Sequence, residues 1–112
     1  KQKHVVRPYL VVSNGFSFAV LNEQTVYAID ISSNKIVWRF EAKGRITGNP
    51  VIYNNSVFVS TDSGNMYDID IKDGFVHKEL KIEDWIASQI LLEGNSLFCI
   101  SREGNLYSLA VK

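Results

Sequence analysis

Residues 57–65 read VFVSTDSGN and residues 97–105 read LFCISREGN, one nine-residue phrase written twice, forty positions apart with no gap. Each begins as a short apolar run rich in β-branched or aromatic residues and ends in a polar tip closed by Gly-Asn. That is the pattern of a strand running into a tight turn. Working outward, residues 25–64 laid over 65–104 return Tyr27/Tyr67, Ile29/Ile69, Asp30/Asp70, Ile31/Ile71, Ile46/Ile86, Asn55/Asn95, Ser56/Ser96, Phe58/Phe98 and Gly64/Gly104 without an insertion. Chemical class is kept more widely than identity, as in Phe40/Leu80, Val57/Leu97 and Val51-Ile52/Leu91-Leu92. A partial copy precedes them, with Val11-Val12 and Phe18 standing forty before Val51-Ile52 and Phe58.

Apolar residues recur with period two or in short runs, and no i, i+3, i+4, i+7 stripe persists, so the chain reads as all-β. The expected strands are Tyr9–Val12, Phe16–Leu21, Thr25–Ile31, Ile36–Glu41, Pro50–Tyr53, Val57–Thr61, Met66–Ile71, Val76–Ile82, Ala87–Leu92, Leu97–Ser101 and Leu106–Val111. Asn14-Gly15, Asn54-Asn55, Asp73-Gly74, Gly94-Asn95 and Gly104-Asn105 fall between them, residues that accept the positive φ of hairpin turns. Such short connections imply antiparallel meanders. A forty-residue unit of four short strands is one blade of a β-propeller. The chain divides into a partial repeat at 1–24, repeats at 25–64 and 65–104, and the start of another at 105–112: about three blades of a partial propeller.

The stretch Ala28-Ile-Asp30-Ile-Ser-Ser33-Asn34-Lys35-Ile-Val-Trp38 resembles the tryptophan-docking motif of the pyrroloquinoline-quinone-like (quinoprotein dehydrogenase-like) β-propeller repeat family. That motif runs Ala, any, Asp, two of any, Thr-Gly-Lys, two of any, Trp. Ser33 keeps the hydroxyl of the Thr, and Asn34 reaches the left-handed conformation that the Gly adopts. The Asn49-Pro50-Val51-Ile52 strand, the Asp62-Ser63-Gly64 turn and the Tyr67-Asp68-Ile69-Asp70 strand follow the family's course over about the whole chain. The second copy keeps Asp70, Asp73 and Gly74, but Lys78 stands where the Trp belongs. The resemblance implies that Ala28, Asp30, Ser33, Asn34, Lys35 and Trp38 form a structural docking motif, with the indole between adjacent blades. A large flat side chain suits such a joint.

Propellers of ~4–8 blades close into rings, whereas this chain supplies about three. Residues 1–6 align with the end of an outer strand. An open arc exposes apolar faces and strand edges. Either the remaining blades of a longer chain or self-association of several copies completes the ring, and the closure argument favours the first.

The chemistry-bearing residues are few. Twelve Lys plus Arg balance twelve Asp plus Glu at a net charge of +0, so no electrostatic footprint for nucleic acid is present. No apolar run is long enough for a transmembrane segment, and no signal peptide is expected within this chain. One Cys and two His cannot make a structural zinc site, and a single Cys99 cannot form an intrachain disulfide. Cys99 takes the apolar strand position of Val59 and reads as a small core residue; His77 reads as a surface residue of the outer strand; His4 supports no inference. Asp30 and Asp70 recur at equivalent turns, which fits an acceptor that shapes every blade better than a base needed once. No metal, cofactor or catalytic residue is expected.

Quinone-dependent enzymes of the resembling family often carry an adjacent Cys pair against the cofactor, and one Cys rules that pair out here. The better fit is the family's non-enzymatic branch, which includes the outer-membrane β-barrel assembly lipoprotein and extracytoplasmic sensor domains. The expectation is a non-catalytic scaffold segment that binds protein partners in the periplasm or cell envelope. A fragment of a quinone-dependent dehydrogenase is the alternative, and a luminal stress-sensor domain that oligomerises a second. The expected contacts are loop tips: Trp85 within Glu83-Asp84-Trp85, and Arg102 and Glu103 within Ser101-Arg102-Glu103. Trp85 replaces Arg45 of the preceding copy, so the blade pattern does not demand an indole there; it serves either packing or partner anchoring.

Overall fold

The computed structural model describes residues 9–82, 85–86 and 88–111. Eleven strands occupy them: β1 Tyr9–Ser13, β2 Phe16–Val20, β3 Thr25–Asp30, β4 Lys35–Glu41, β5 Val51–Tyr53, β6 Ser56–Ser60, β7 Asn65–Asp70, β8 Val76–Lys81, β9 Leu91–Glu93, β10 Ser96–Ile100 and β11 Leu106–Ala110. They form three antiparallel meanders, β1-β2-β3-β4, β5-β6-β7-β8 and β9-β10-β11. This is the all-β partial propeller expected from the repeat. The segment expected over Ala87–Leu92 yields a strand only from Leu91, as its counterpart begins only at Val51, and the Ser88 hydroxyl accepts the Ile100 N–H at 2.9 Å. Ala87, Glu83-Asp84, His4 and the rest of residues 1–8 lie outside the described residues.

The hairpins follow from their turn residues. Ser13 pairs with Phe16 across Asn14 (φ +51°) and Gly15 (φ +83°), both left-handed as a two-residue loop between twisted strands requires. Two-residue loops also join Tyr53 to Ser56 and Glu93 to Ser96, but there only the first loop residue, Asn54 (φ +54°) or Gly94 (φ +62°), is left-handed. The third hairpin of both complete sheets carries a bulge at one place: the register slips between Ala28 and Ile29, and again between Asp68 and Ile69, leaving Val37 and His77 as the extra residues on β4 and β8.

Two apolar clusters lie between the sheets. The first joins Phe18, Val20, Val26, Ala28 and Trp38 to Val57, Val59, Tyr67 and Ile69; the second joins Phe58 and Met66 to Leu97, Cys99 and Val111. The connector from β4 to β5 is bonded into both sheets it joins. Ala42 and Ile46 donate backbone N–H to the carbonyls of Gln24 and Glu23, Thr47 donates to Ser60, and Asp62 donates to Arg45. Ile46 bridges Thr61, and Ile86 bridges Ser101 in the next connector.

Equivalent positions differ in exposure along the stack. Val26 is 0% and Met66 3% exposed, but Leu106 is 66%. Pro50 and Ile90 are buried while Leu10 is 58% exposed. The two outermost faces of this three-sheet arc are therefore apolar and open.

Candidate functional site

The docking motif closes the first joint. Trp38 projects from β4, and its ring carbons lie 2.8–3.0 Å from where a Cβ on Gly74 would stand. Gly74 holds φ +79° in the β7–β8 turn, so its missing side chain and its left-handed backbone both serve the contact. The indole Nε1–H donates to the Ile71 carbonyl at 3.0 Å, and the Phe18 ring lies 6.0 Å away. Cross-strand from the indole stands Ala28, small enough to leave it room.

Asp30 and Asp70 build the same turn twice. The Asp30 carbonyl accepts the Asn34 N–H at 2.7 Å, and the Asp70 carbonyl accepts the Gly74 N–H at 3.0 Å; Asn34 adopts φ +60°. The nearest hydroxyl on the Asp30 carboxylate is that of Ser32, at 3.0 Å, a position the docking motif leaves open. Ser33 of the motif contributes less to lowering the Asp30 pKa than Ser32, whose hydroxyl is the main cause. Asp70 is lowered first by the Lys72 N–H at 2.8 Å and then by His77, whose Nε2 lies 3.0 Å from Oδ2. His77 is a surface residue of the outer strand, and it has a partner there. It is exposed, but the bulge swings it onto Asp70, and Phe75 meets its ring edge-on at 5.9 Å. The signal for this lay in the bulge, which sequence spacing does not reveal.

At the loop tips the structure brings two of the three expected contact residues together. The Arg102 guanidinium lies 5.1 Å from the centre of the Trp85 ring, and the Arg102 N–H donates to the Trp85 carbonyl at 2.7 Å. Glu103 is exposed beside them. In the preceding repeat the equivalent backbone bond, Asp62 N–H to Arg45 carbonyl at 2.8 Å, carries an ion pair of Arg45 Nε and Asp62 Oδ2 at 3.6 Å. The exchange of Arg/Asp for Trp/Arg thus replaces an ion pair with a cation–π pair and leaves the indole 51% exposed.

Cys99 is buried, and desolvation pushes its thiol above the ordinary value, away from the thiolate a nucleophile needs. Among the described residues no three His, Cys, Asp or Glu side chains gather as metal ligands, and no helix is long and apolar enough to cross a membrane.

The family model for outer membrane protein assembly factor BamB matches residues 2–89. A search of curated proteins returned no match. Among solved structures, BamB from Moraxella catarrhalis superposes with a TM-score of 0.79 at 17% identity, over 95% of this chain and 34% of that one. The computationally designed Ika4 protein gives 0.78 at 13% identity, over 92% and 64% of the two chains. A europium-containing methanol dehydrogenase gives 0.78 at 14% identity, over 92% and 22%. The chain thus spans about a third of the length of that BamB structure and less of the dehydrogenase. At these identities the likeness is one of fold.

Proposed function

This chain belongs to the outer membrane protein assembly factor BamB family, and from that premise we propose that it is a non-catalytic propeller segment that binds protein partners in the cell envelope. The observation that carries this reading is the Trp85–Arg102 tip. A half-exposed indole stacked on a guanidinium, with Glu103 beside it, has the composition of an interface anchor. The blade does not demand an indole at this position, since the preceding repeat makes the same backbone bond with Arg45 and Asp62. The recurring Asp residues supply turn geometry in each blade, so they support a scaffold role and not a site used once. The open outer faces take further blades of a longer chain, or other copies.

A photo-crosslinking residue placed at position 85 in cells tests this. A discrete partner adduct, lost on Arg102→Glu and absent when the crosslinker sits at exposed Val37, is the expected result; equal labelling at both positions would remove the reading. The second reading, part of a quinone-dependent dehydrogenase, draws on the fold it shares with the methanol dehydrogenase. It predicts a saturable absorbance change when pyrroloquinoline quinone and calcium are added, which the scaffold reading does not. Solution mass separates the two ways of covering the open faces: a monomer at micromolar concentration excludes ring completion by copies.

A further inference from the structure

The second joint between sheets contains a slot of about 200 Å³ lined by Tyr53, Phe58, Met66, Asp68, Leu97 and Leu109, among others, with Lys78 at its rim. Subtracting forty from the lining residues returns the surroundings of the Trp38 indole: Phe58 corresponds to Phe18, Met66 to Val26, Leu97 to Val57, Leu109 to Ile69 and Val111 to Ile71. Tyr53, Ser56 and Ala110 stand where Ser13, Phe16 and Asp70 do, and two further differences fall at the ring position itself. Lys78 replaces Trp38 and is exposed, so the volume the indole fills in the first joint is vacant here. Asp68 replaces Ala28, directly across the strand pair from Lys78. Its Oδ1 is buried and has no hydrogen-bond partner among the described residues. A buried carboxylate oxygen without a donor is costly and points to a donor from elsewhere.

We propose that this slot binds the indole of a tryptophan side chain presented by another polypeptide. The first joint shows that the mould accepts an indole, with the Ile71 carbonyl as acceptor of its N–H; Val111 is the equivalent residue in the slot, and Asp68 Oδ1 adds a second acceptor. A cavity of ~150 Å³ holds benzene, so this one has room for a bicyclic ring but not for a drug-sized ligand, which takes roughly 300 Å³ or more. The proposal rests on the partner-binding reading above but uses a different surface, so crosslinking at position 85 and binding in the slot can fail separately.

Met66 is the single methionine and lies in the slot, which makes its ¹³C-labelled methyl group a selective NMR reporter. Titration of the whole chain with the blocked tripeptide acetyl-Gly-Trp-Gly-amide is expected to shift that signal saturably, with a dissociation constant of about 1 mM or tighter. Lys78→Trp, which supplies the ring from within, is expected to weaken the response at least tenfold. The double variant Asp68→Ala/Lys78→Trp, which recreates the residues of the first joint, does the same if the single variant folds poorly. The tripeptide carrying 1-methyltryptophan binds at least threefold more weakly, since it lacks the N–H. No saturable shift, an unchanged response in both filled variants, or equal binding of the methylated tripeptide overturns the proposal. Entry of free indole without entry of the tripeptide also overturns it, since the slot is then a small-molecule site.

Discussion

The two joints of this molecule are built on one template and end differently. In the first, Ala28 makes room for Trp38, and the indole seals the sheets against Gly74 and bonds the Ile71 carbonyl. In the second, Asp68 and Lys78 stand at the same two positions, the ring is absent, and a cavity remains. The backbone is indifferent to the exchange: bulge, turn and strand register are the same in both. Within the strand pair that faces each joint, the two therefore differ in a pair of side chains and not in backbone, while the facing turn that carries Gly74 in the first joint has no counterpart among the described residues of the second. Such a stack can vary its joints independently, because each sheet contacts only its neighbours.

The sharpest way to break this comparison is Trp38→Ala. Removing a buried ring costs about 3–5 kcal/mol, read as a lowered urea midpoint, while Lys78→Ala changes it little because Lys78 is exposed. Equal effects would mean that the indole does not hold the first joint. Next is Gly74→Ala, expected to destabilise by about 2–3 kcal/mol. Its φ of +79° strains any side chain, and the new Cβ would come within 2.8 Å of the indole. Combined with Trp38→Ala, the steric part of that cost disappears, and full additivity would deny the contact. Lys78→Trp acts in the opposite sense, raising stability by about 0.5–2 kcal/mol as cavity filling does; a loss would show that the second joint cannot close on a ring.

The smallest effect is the acid dependence of the Asp70–His77 turn. The Lys72 N–H, and His77 after it, hold the Asp70 carboxyl below its ordinary value in the folded chain. The unfolded chain therefore takes up a proton first as pH falls. The turn's contribution is complete above about pH 4 and is lost as pH drops through the lowered folded value. Asp70→Asn flattens this acid limb, by a small amount because the pair is exposed to solvent. An acid limb unchanged in the variant would leave Asp70 without its assigned role.

The strands, hairpins and sheet order were legible from the forty-residue period and the Asn and Gly turn residues, because both encode backbone geometry directly. Trp38 and the Lys78 that stands in its place could be picked out from the motif and its second copy, but the contact of the indole with Gly74 and the Ile71 carbonyl is a matter of packing that no motif states. Three features were not legible. Ser32 supplies the first hydroxyl to Asp30 although the motif leaves its position open, since only the turn's conformation aims it. His77 reaches Asp70 through a bulge that no spacing rule announces. Asp68 gains its meaning only from the cross-strand pairing that places it opposite Lys78, with an oxygen buried beside the vacated ring position. Trp85, Arg102 and Glu103 could be chosen from sequence as tip residues, but the stacking of Arg102 on the indole depends on the Ile86–Ser101 bridge that aligns their loops.

The connectors between sheets set the grain of the molecule's motions. The amides of Ala42 and Ile46 are bonded back to the sheet just left, and those of Thr47 and Asp62 tie the same connector to the sheet ahead. Neither sheet can open its end without releasing bonds that belong to the other. In hydrogen exchange these amides should therefore protect as shared groups, with the protection of Ile46 and Thr47 following the less stable of the two sheets they join. The connector thus acts as a hinge pin: loosening at one joint is felt across the adjoining sheet, and a ring bound in the slot should slow the exchange of Ile82 and Ile86 as well as that of the strands it touches.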